Sequence, residues 1–282
     1  MRFNLIRNFC GVVLAASAAL AQAQTYPTKP VTWLVPYPPG GGSDVIARTI
    51  GAQLSKQLNQ TVIIENKPGA ATMIGAQAAA RSAPDGYTIF SGDNATYVFN
   101  SALYKKMQYD PQKDFAPITL IARFPLLLVA NPNAGFKNAK DLIEQVKRSP
   151  GKYNYASVGP GSPHHLAMEM IKQKTGAFIV HIPYRGAGPA VQDLLAGQVP
   201  MMVLDLATAL PHIKTGKLTA LAVASGHRLP MQPDVPTLKE IGLGDVEMYA
   251  WQGMAVPAGT PKEIVSRLNA EVTKAIAAPD VV

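Results

Sequence analysis

Two stretches of the sequence, "PYPPGGGSD" (Pro36 to Asp44) and "SVGPGSPHH" (Ser157 to His165), join glycines and a serine to a helix start. That combination can hold an anion. A helix N-terminus leaves about four backbone N–H groups without intrahelical partners, and the aligned peptide dipoles add roughly half a positive charge there. Glycines let the backbone approach a ligand closely, and a capping serine adds a hydroxyl at the same place. Gly40, Gly41, Gly42 and Ser43 form one such cradle, and Gly159, Gly161 and Ser162 form another. Each loop alone reads equally well as a tight strand-to-helix turn; finding two in separate parts of the chain favours a shared ligand. A nucleotide is the wrong guest for the first loop. A Walker loop needs Lys followed by Ser or Thr after its last glycine, whereas Ser43-Asp44 follows here, and Val45 stands where a dinucleotide fingerprint has its third glycine. A single carboxylate held by neutral backbone donors fits better.

Other chemistries have the residue types without the spacing. Ser162 or Ser43 with His164 would suit a secreted serine hydrolase, yet Pro163 and His164 follow Ser162 in place of the G-x-S-x-G elbow. His164 and His165 are adjacent on an expected helix, so they point in different directions, which is poor spacing for a metal chelate. His181, His212 and His227 stand singly, and no pair of carboxylates has catalytic spacing. No metal and no cofactor are expected. Tyr37 and Tyr184 end strands just before glycine loops, and Tyr97 and Phe99 follow "SGDNAT"; each can line an organic ligand or simply pack.

The N-terminus belongs to export rather than to the fold. Arg2 and Arg7 precede an apolar run and small residues ending in Ala21-Gln22-Ala23, the pattern of a signal peptide cleaved near Ala23. The sole cysteine, Cys10, leaves with it, so disulfides and thiol chemistry are excluded from the remainder. Loss of Arg2 and Arg7 leaves 24 basic against 18 acidic residues, a net charge near +6. The basic residues are scattered and show no stripe with interleaved aromatics, so nucleic acid is not an expected partner. At 48% hydrophobic and 16% charged, the chain can build substantial cores.

The elements that position these loops alternate strand and helix, the pattern of an α/β protein with largely parallel sheets. Strands are expected at 31–35, 61–65, 87–90, 126–130, 153–156, 179–183, 201–204 and 219–224. Ile46, Ile50, Leu54 and Leu58 put one face on a helix that begins at Ser43, with Asp44 and Arg48 as an i,i+4 pair. Capping boxes are expected at Thr237 to Glu240 and Thr260 to Glu263, and Ser162-Pro163 reads as a cap followed by a first-turn proline. Crossings between two lobes are placed near Arg123-Phe124-Pro125 and between Ser225 and Pro236, where Gly and Pro interrupt the pattern.

The motifs "VPYPPGGGSDVIAR", "VIIENKPGA", "PDGYTI", "GPGSPHHLAMEM", "VHIPYRGAGPAVQDLLAGQVPMMVLD", "HIKTGKLTALAVAS" and "PDVPTLKEIGL" follow one another in the order of the Bug or TctC family. These are periplasmic solute receptors of tripartite tricarboxylate transporters, and the resemblance spans essentially the whole chain after the leader. It implies an α/β, two-lobed periplasmic-binding-protein fold (type II, Venus flytrap) with the ligand between the lobes. By that resemblance residues 1–23 are the signal peptide, 24–124 begin the first lobe, 125–225 form the second, and 226–282 return to the first. The implied ligand is a small organic carboxylate, and the implied partners are the membrane transporter subunits or a sensor protein, for a monomeric receptor. Implied contacts from the first lobe are Tyr37, Pro39, Gly40, Gly41, Gly42 and Ser43, with Ser91, Asn94 and Thr96 beside them. From the second they are Ser157, Gly161, Ser162 and His164, then Arg185, Gly186 and Asp205. The ending "AIAAPDVV" falls about forty residues before the point where the resemblance completes the first lobe.

Overall fold

The computed structural model describes residues 26–244 and 246–281. The expected signal peptide lies outside them. All eight expected strands form, seven of them within a few residues of the expected ends: β1 Val31–Val35, β2 Val62–Asn66, β3 Thr88–Asp93, β4 Phe115–Ala130, β5 Asn154–Ser157, β6 Val180–Pro183, β7 Met201–Asp205 and β8 Thr219–Val223. A ninth, β9 Tyr249–Pro257, was not expected, and β4 starts eleven residues before its expected first residue, Leu126. The helices of eight residues or more are α1 Gly42–Leu58, α2 Met73–Ala80, α3 Ala139–Arg148, α4 Pro163–Thr175, α5 Ala187–Leu195, α6 Leu206–Lys214 and α7 Lys262–Ile276.

These strands make two sheets that share β4. The first runs β2-β1-β3-β9-β4 and the second β8-β4-β7-β5-β6. Phe115 to Pro125 pair with β9, whereas Leu126 to Ala130 lie between β7 and β8. The first crossing between lobes is therefore the middle of one continuous strand. Pro117 and Pro125 sit in this strand, and the register with β9 slips next to Pro117, because proline cannot donate to the ladder. The sheets are mixed rather than largely parallel. Pairs β1–β2, β1–β3, β5–β6 and β5–β7 are parallel, but every pairing made by β4 and β9 is antiparallel. Between β8 and β9 the chain stays on the second lobe: Leu238 N–H donates to Val223 O, Met248 N–H donates to Ala224 O, and Tyr249 is the first residue paired to the first sheet.

Both sheets are covered on both faces. In β4, Leu126, Leu128 and Ala130 join the core under α3 and α4, while Leu127 and Val129 join the core under α5 and α6. This is the period-two alternation of a strand buried on each side, and it explains the unbroken apolar run. In the first lobe, Ile50, Leu54, Leu268 and Val272 pack α1 and α7 on one face. Phe90, Tyr109 and Phe115 pack with α2 on the other. Each fully buried Leu or Ile contributes about 1.5–3 kcal/mol relative to exposure.

Candidate functional site

The ends of β1, β3, β5 and β7 and the helices that follow them face one another between the lobes. Two adjoining clefts lie there. The inner one is lined from the first lobe by Tyr37, Gly41, Gly42, Ser43, Asp93 and Gln252 and from the second by His164, Ala187 and Asp205. The larger outer groove runs between Ala70, Ala71 and Thr72 on one wall and Gly159, Ser162, Arg185 and Gly186 on the other. Tyr37, Pro38 and Val158 line both, so the two adjoin.

The first glycine loop is built around Asp44. Its buried carboxylate accepts from Gly40 N–H at 3.0 Å, Arg48 Nε at 2.9 Å and Asn66 Nδ2 at 2.9 Å. Burial raises its pKa, but the hydrogen bonds from Arg48, Gly40 and Asn66 outweigh it and hold the carboxyl below its ordinary value. The Gly40 N–H is thus spent on the protein, and Pro39 and Gly40 line neither cleft. α1 begins at Gly42 with Gly41 as its cap, so Ser43 is not the cap that the sequence suggests. Its hydroxyl instead accepts from Gln252 Nε2 of β9.

The second loop follows the sequence reading closely. Ser162 caps α4, accepting from His165 N–H at 3.2 Å, and donates its own hydroxyl to Gly159 O at 2.7 Å. Gly159 and Gly161 take φ of 132° and 75°, a region that favours glycine. Neither ring nitrogen of His164 has a partner, and Ser162 donates to backbone, so the Ser–His pair of a hydrolase is not assembled. Asp205 caps α6 through Thr208 N–H at 2.9 Å, and His164 Nε2 lies 3.7 Å from its other oxygen. Burial would raise the Asp205 pKa; His164 and the Thr208 donors together hold it below the ordinary carboxylate value.

Several expected residues support the site from behind. Asn94 spends its amide on Tyr249 O and Trp251 N–H. Thr96 is buried between Thr72 Oγ1, 2.8 Å away, and Asp93 Oδ1, 3.0 Å away. Ser157 meets His181 Nε2 at 2.6 Å and accepts from Gly159 N–H, and Gly161 N–H donates to His165 Nδ1. Ser91 is buried with its hydroxyl unpartnered. Arg185 lines the outer groove and forms no ion pair among the described residues.

Sequence reasoning missed Asp93, Gln252 and the segment Ala70 to Thr72. Asp93 Oδ2 accepts from Tyr37 OH at 2.5 Å, and burial, then the Asp93 charge, pushes that phenol well above its usual pKa, so it stays a donor. Ala70, Ala71 and Thr72 have φ of 46°, 51° and 73° without being glycine. The strain is held by Asn100 Nδ2, which donates to Ala71 O at 2.7 Å. The only signal for this segment was Gly69 just after Pro68. Among the described residues no group of three His, Cys, Asp or Glu is placed to hold a metal, and no helix is long and apolar enough to cross a membrane.

A cleft between two α/β lobes joined by crossing strands, walled by opposed helix N-termini, defines a two-lobed solute-binding protein. Residues 46–282 match the family model of the tripartite tricarboxylate transporter family receptor, and the chain belongs to that family. It is 38% identical to the protein BugT of Bordetella pertussis over 272 residues, 96% of this chain and 83% of that one. Among solved structures it is similar to MatC from Rhodopseudomonas palustris, described with bound malate, at 36% identity and a TM-score of 0.86. That match covers 91% of this chain and 87% of the other. A second R. palustris protein, described with adipate, matches at 34% identity and a TM-score of 0.88, covering 91% and 86%.

Proposed function

We propose that the chain is an exported receptor that captures a small organic carboxylate between its lobes and delivers it to the membrane subunits of a tripartite tricarboxylate transporter. The observation that carries this reading is the pair of adjoining clefts with the N-termini of α1 and α4 on opposite walls and, at the outer groove, an exposed Arg185 that forms no ion pair among the described residues. Backbone donors and a guanidinium suit a carboxylate, and burial between two lobes strengthens every such bond by excluding water. The small acids named for the two R. palustris proteins support the same class of ligand. Of the residues expected from the sequence, Tyr37, Gly41, Gly42, Ser43, Ser162, His164, Arg185, Gly186 and Asp205 line the clefts and are assigned to the ligand. Ser91, Asn94, Thr96, Ser157 and Gly161 are assigned to the frame. The periplasm, reached through a signal peptide cleaved near Ala23, is the compartment this role requires.

Thermal melting against a panel of mono-, di- and tricarboxylates and acidic amino acids tests the reading. A ligand that binds only the native state adds about 2.7 kcal/mol at a hundredfold excess over Kd, so a true ligand raises the midpoint by several degrees. Flat midpoints across the whole panel overturn the proposal.

A further inference from the structure

The helices of the second lobe end together at one pole, far from the clefts. Ala130, Met201 and Thr219 stand level across the sheet, with Asn154 and Val180 beside them, as the pairings of β4, β5, β6, β7 and β8 fix. Helices α3, α4, α5 and α6 each lead into one of β5, β6, β7 and β8, so their last turns meet at the starts of those strands. Chain order scatters the basic residues, but the fold gathers six exposed ones here: Lys147, Arg148, Lys152, Lys174, Lys214 and Lys217. Arg148 pairs with Glu144, and the other five form no ion pair among the described residues. The remaining acids of these helices are already met: Asp141 by Lys137 N–H and Gln145, Glu169 by Lys172, and Asp193 by Tyr184 OH. A lysine in a last turn answers the helix dipole. Lys152 and Lys217 lie outside any helix, and the dipole gives no reason for Phe178, which is 61% exposed beside them. Its carbonyl accepts from Gly151 N–H at 3.0 Å, and a Cβ on Gly151 would lie 3.2 Å from its ring, so the ring rests on the turn that carries Lys152. Val180, 38% exposed, continues the apolar spot along the edge strand β6.

An aromatic ring set among unpaired cations is matched by a surface that is anionic outside and apolar just beneath, and a bilayer is both. An acidic peptide would meet the lysines and leave the ring wet. We propose that this pole is a docking surface for an anionic phospholipid bilayer, with the basic side chains on the phosphate groups and Phe178 in the interface. Each Lys or Arg near such a surface adds roughly fivefold to partition, and an apolar ring at the headgroup level adds to that. The contact is reversible and weakened by salt. It leaves the clefts open, because Ser157 and Asp205 end the strands whose starts form the pole, four and five residues along, or roughly 13–17 Å. It does not depend on what the clefts hold. A receptor held this way searches for its membrane partner in two dimensions.

Co-sedimentation of the exported protein, its leader removed, with lipid vesicles tests this. Phosphatidylcholine vesicles with about a quarter phosphatidylglycerol are expected to carry the protein down at about 50 mM salt and release it at about 500 mM, and pure phosphatidylcholine is expected not to hold it. Lys152→Glu with Lys174→Glu is expected to lower the anionic partition about tenfold or more, and Phe178→Ser about threefold or more with the salt dependence kept. Lys105→Glu with Lys106→Glu makes the same change of charge at exposed positions of the first lobe and is expected to move the partition less than about twofold. All these side chains are exposed, so melting midpoints are expected to stay with the parent. Should a pole variant melt early, Lys147→Glu with Lys217→Glu is read in its place. No binding to anionic vesicles, equal binding to neutral ones, an equal loss from the first-lobe pair, or an unmoved Phe178→Ser overturns the bilayer as the occupant. Retention on poly-glutamate without retention on vesicles does so too, and assigns the pole to an acidic protein.

Discussion

Tyr37 and Asp93 show how much of the site is held by single side chains. The Tyr37 hydroxyl donates to Asp93 Oδ2, while Thr96 N–H and its hydroxyl approach Oδ1 at 3.0 Å. Asp93 is 5% exposed, so none of these donors is readily replaced by bulk water. Tyr37→Phe keeps the ring between the two clefts and deletes one charge-assisted hydrogen bond. Its expected cost is about 1–3 kcal/mol of stability, or roughly 2–10 °C in Tm for a chain of this size, read by thermal melting without ligand. An unchanged midpoint would show that the Tyr37–Asp93 hydrogen bond adds nothing to the stability of the fold. The pairing was not legible beforehand. Tyr37 stood out by its place before a glycine loop, but Asp93 lies 56 positions away, and only the adjacency of β1 and β3 brings the two together. The same holds for Ser43 and Gln252, 209 positions apart and joined because β9 pairs with β3.

Among the elements, strand–loop–helix units were legible because their signals are local. Ser162 before Pro163 gave the start of α4, and Thr237 with Glu240 forms the expected reciprocal cap, 2.7 Å in one direction and 3.1 Å in the other. The box expected at Thr260 does not form: its hydroxyl donates to Pro257 O, and Pro261 serves as the cap of α7. The first half of β4 was missed because Pro125 read as a break, whereas the strand runs through it and a register slip lies next to Pro117. The glycines, read as ligand cradles, also set how closely the lobes approach. A Cβ on Gly42 would lie 3.2 Å from Asp205 Oδ1, and one on Gly186 would lie 2.8 Å from Pro38 Cδ. Gly42→Ala separates the two roles, since alanine favours a helix by up to about 1 kcal/mol over glycine. The variant is expected to melt at or above the parent temperature yet bind ligand about tenfold more weakly, because the methyl group meets Asp205 as the lobes close. Parallel melting and titration decide it; unchanged affinity would mean that the contact is not part of closure.

For the molecule as a whole, the second glycine loop rests on a stack of titratable groups that ties its integrity to pH. The His181 ring lies between Tyr155, 4.9 Å away, and His165, itself part of α4, 4.2 Å away. Glu169 binds Tyr155 OH at 2.5 Å and Lys172 at 2.6 Å, and His165 Nε2 is 3.9 Å from it. Burial first, then the His165 charge, lowers the His181 pKa to about 4, and burial lowers that of His165 too. Both histidines therefore bind protons less readily folded than unfolded. Their stabilising contribution is complete above the unfolded value near 6.5 and is lost as pH falls from there toward about 4. Glu169, held below its ordinary value despite burial by Lys172 and Tyr155, adds a loss in the same direction at still lower pH. With His181 only half-buried, solvent screening reduces its share to about 1 kcal/mol. Urea unfolding should thus give a lower midpoint at pH 5 than at pH 7.5. His181→Asn offers the Ser157 hydroxyl a partner that does not titrate, so it should flatten that difference; an equally steep dependence in the variant would assign the pH sensitivity to other groups. The consequence reaches the ligand site, because Ser157 and His165, the two contacts of this stack with the loop, hold the N–H groups of Gly159 and Gly161.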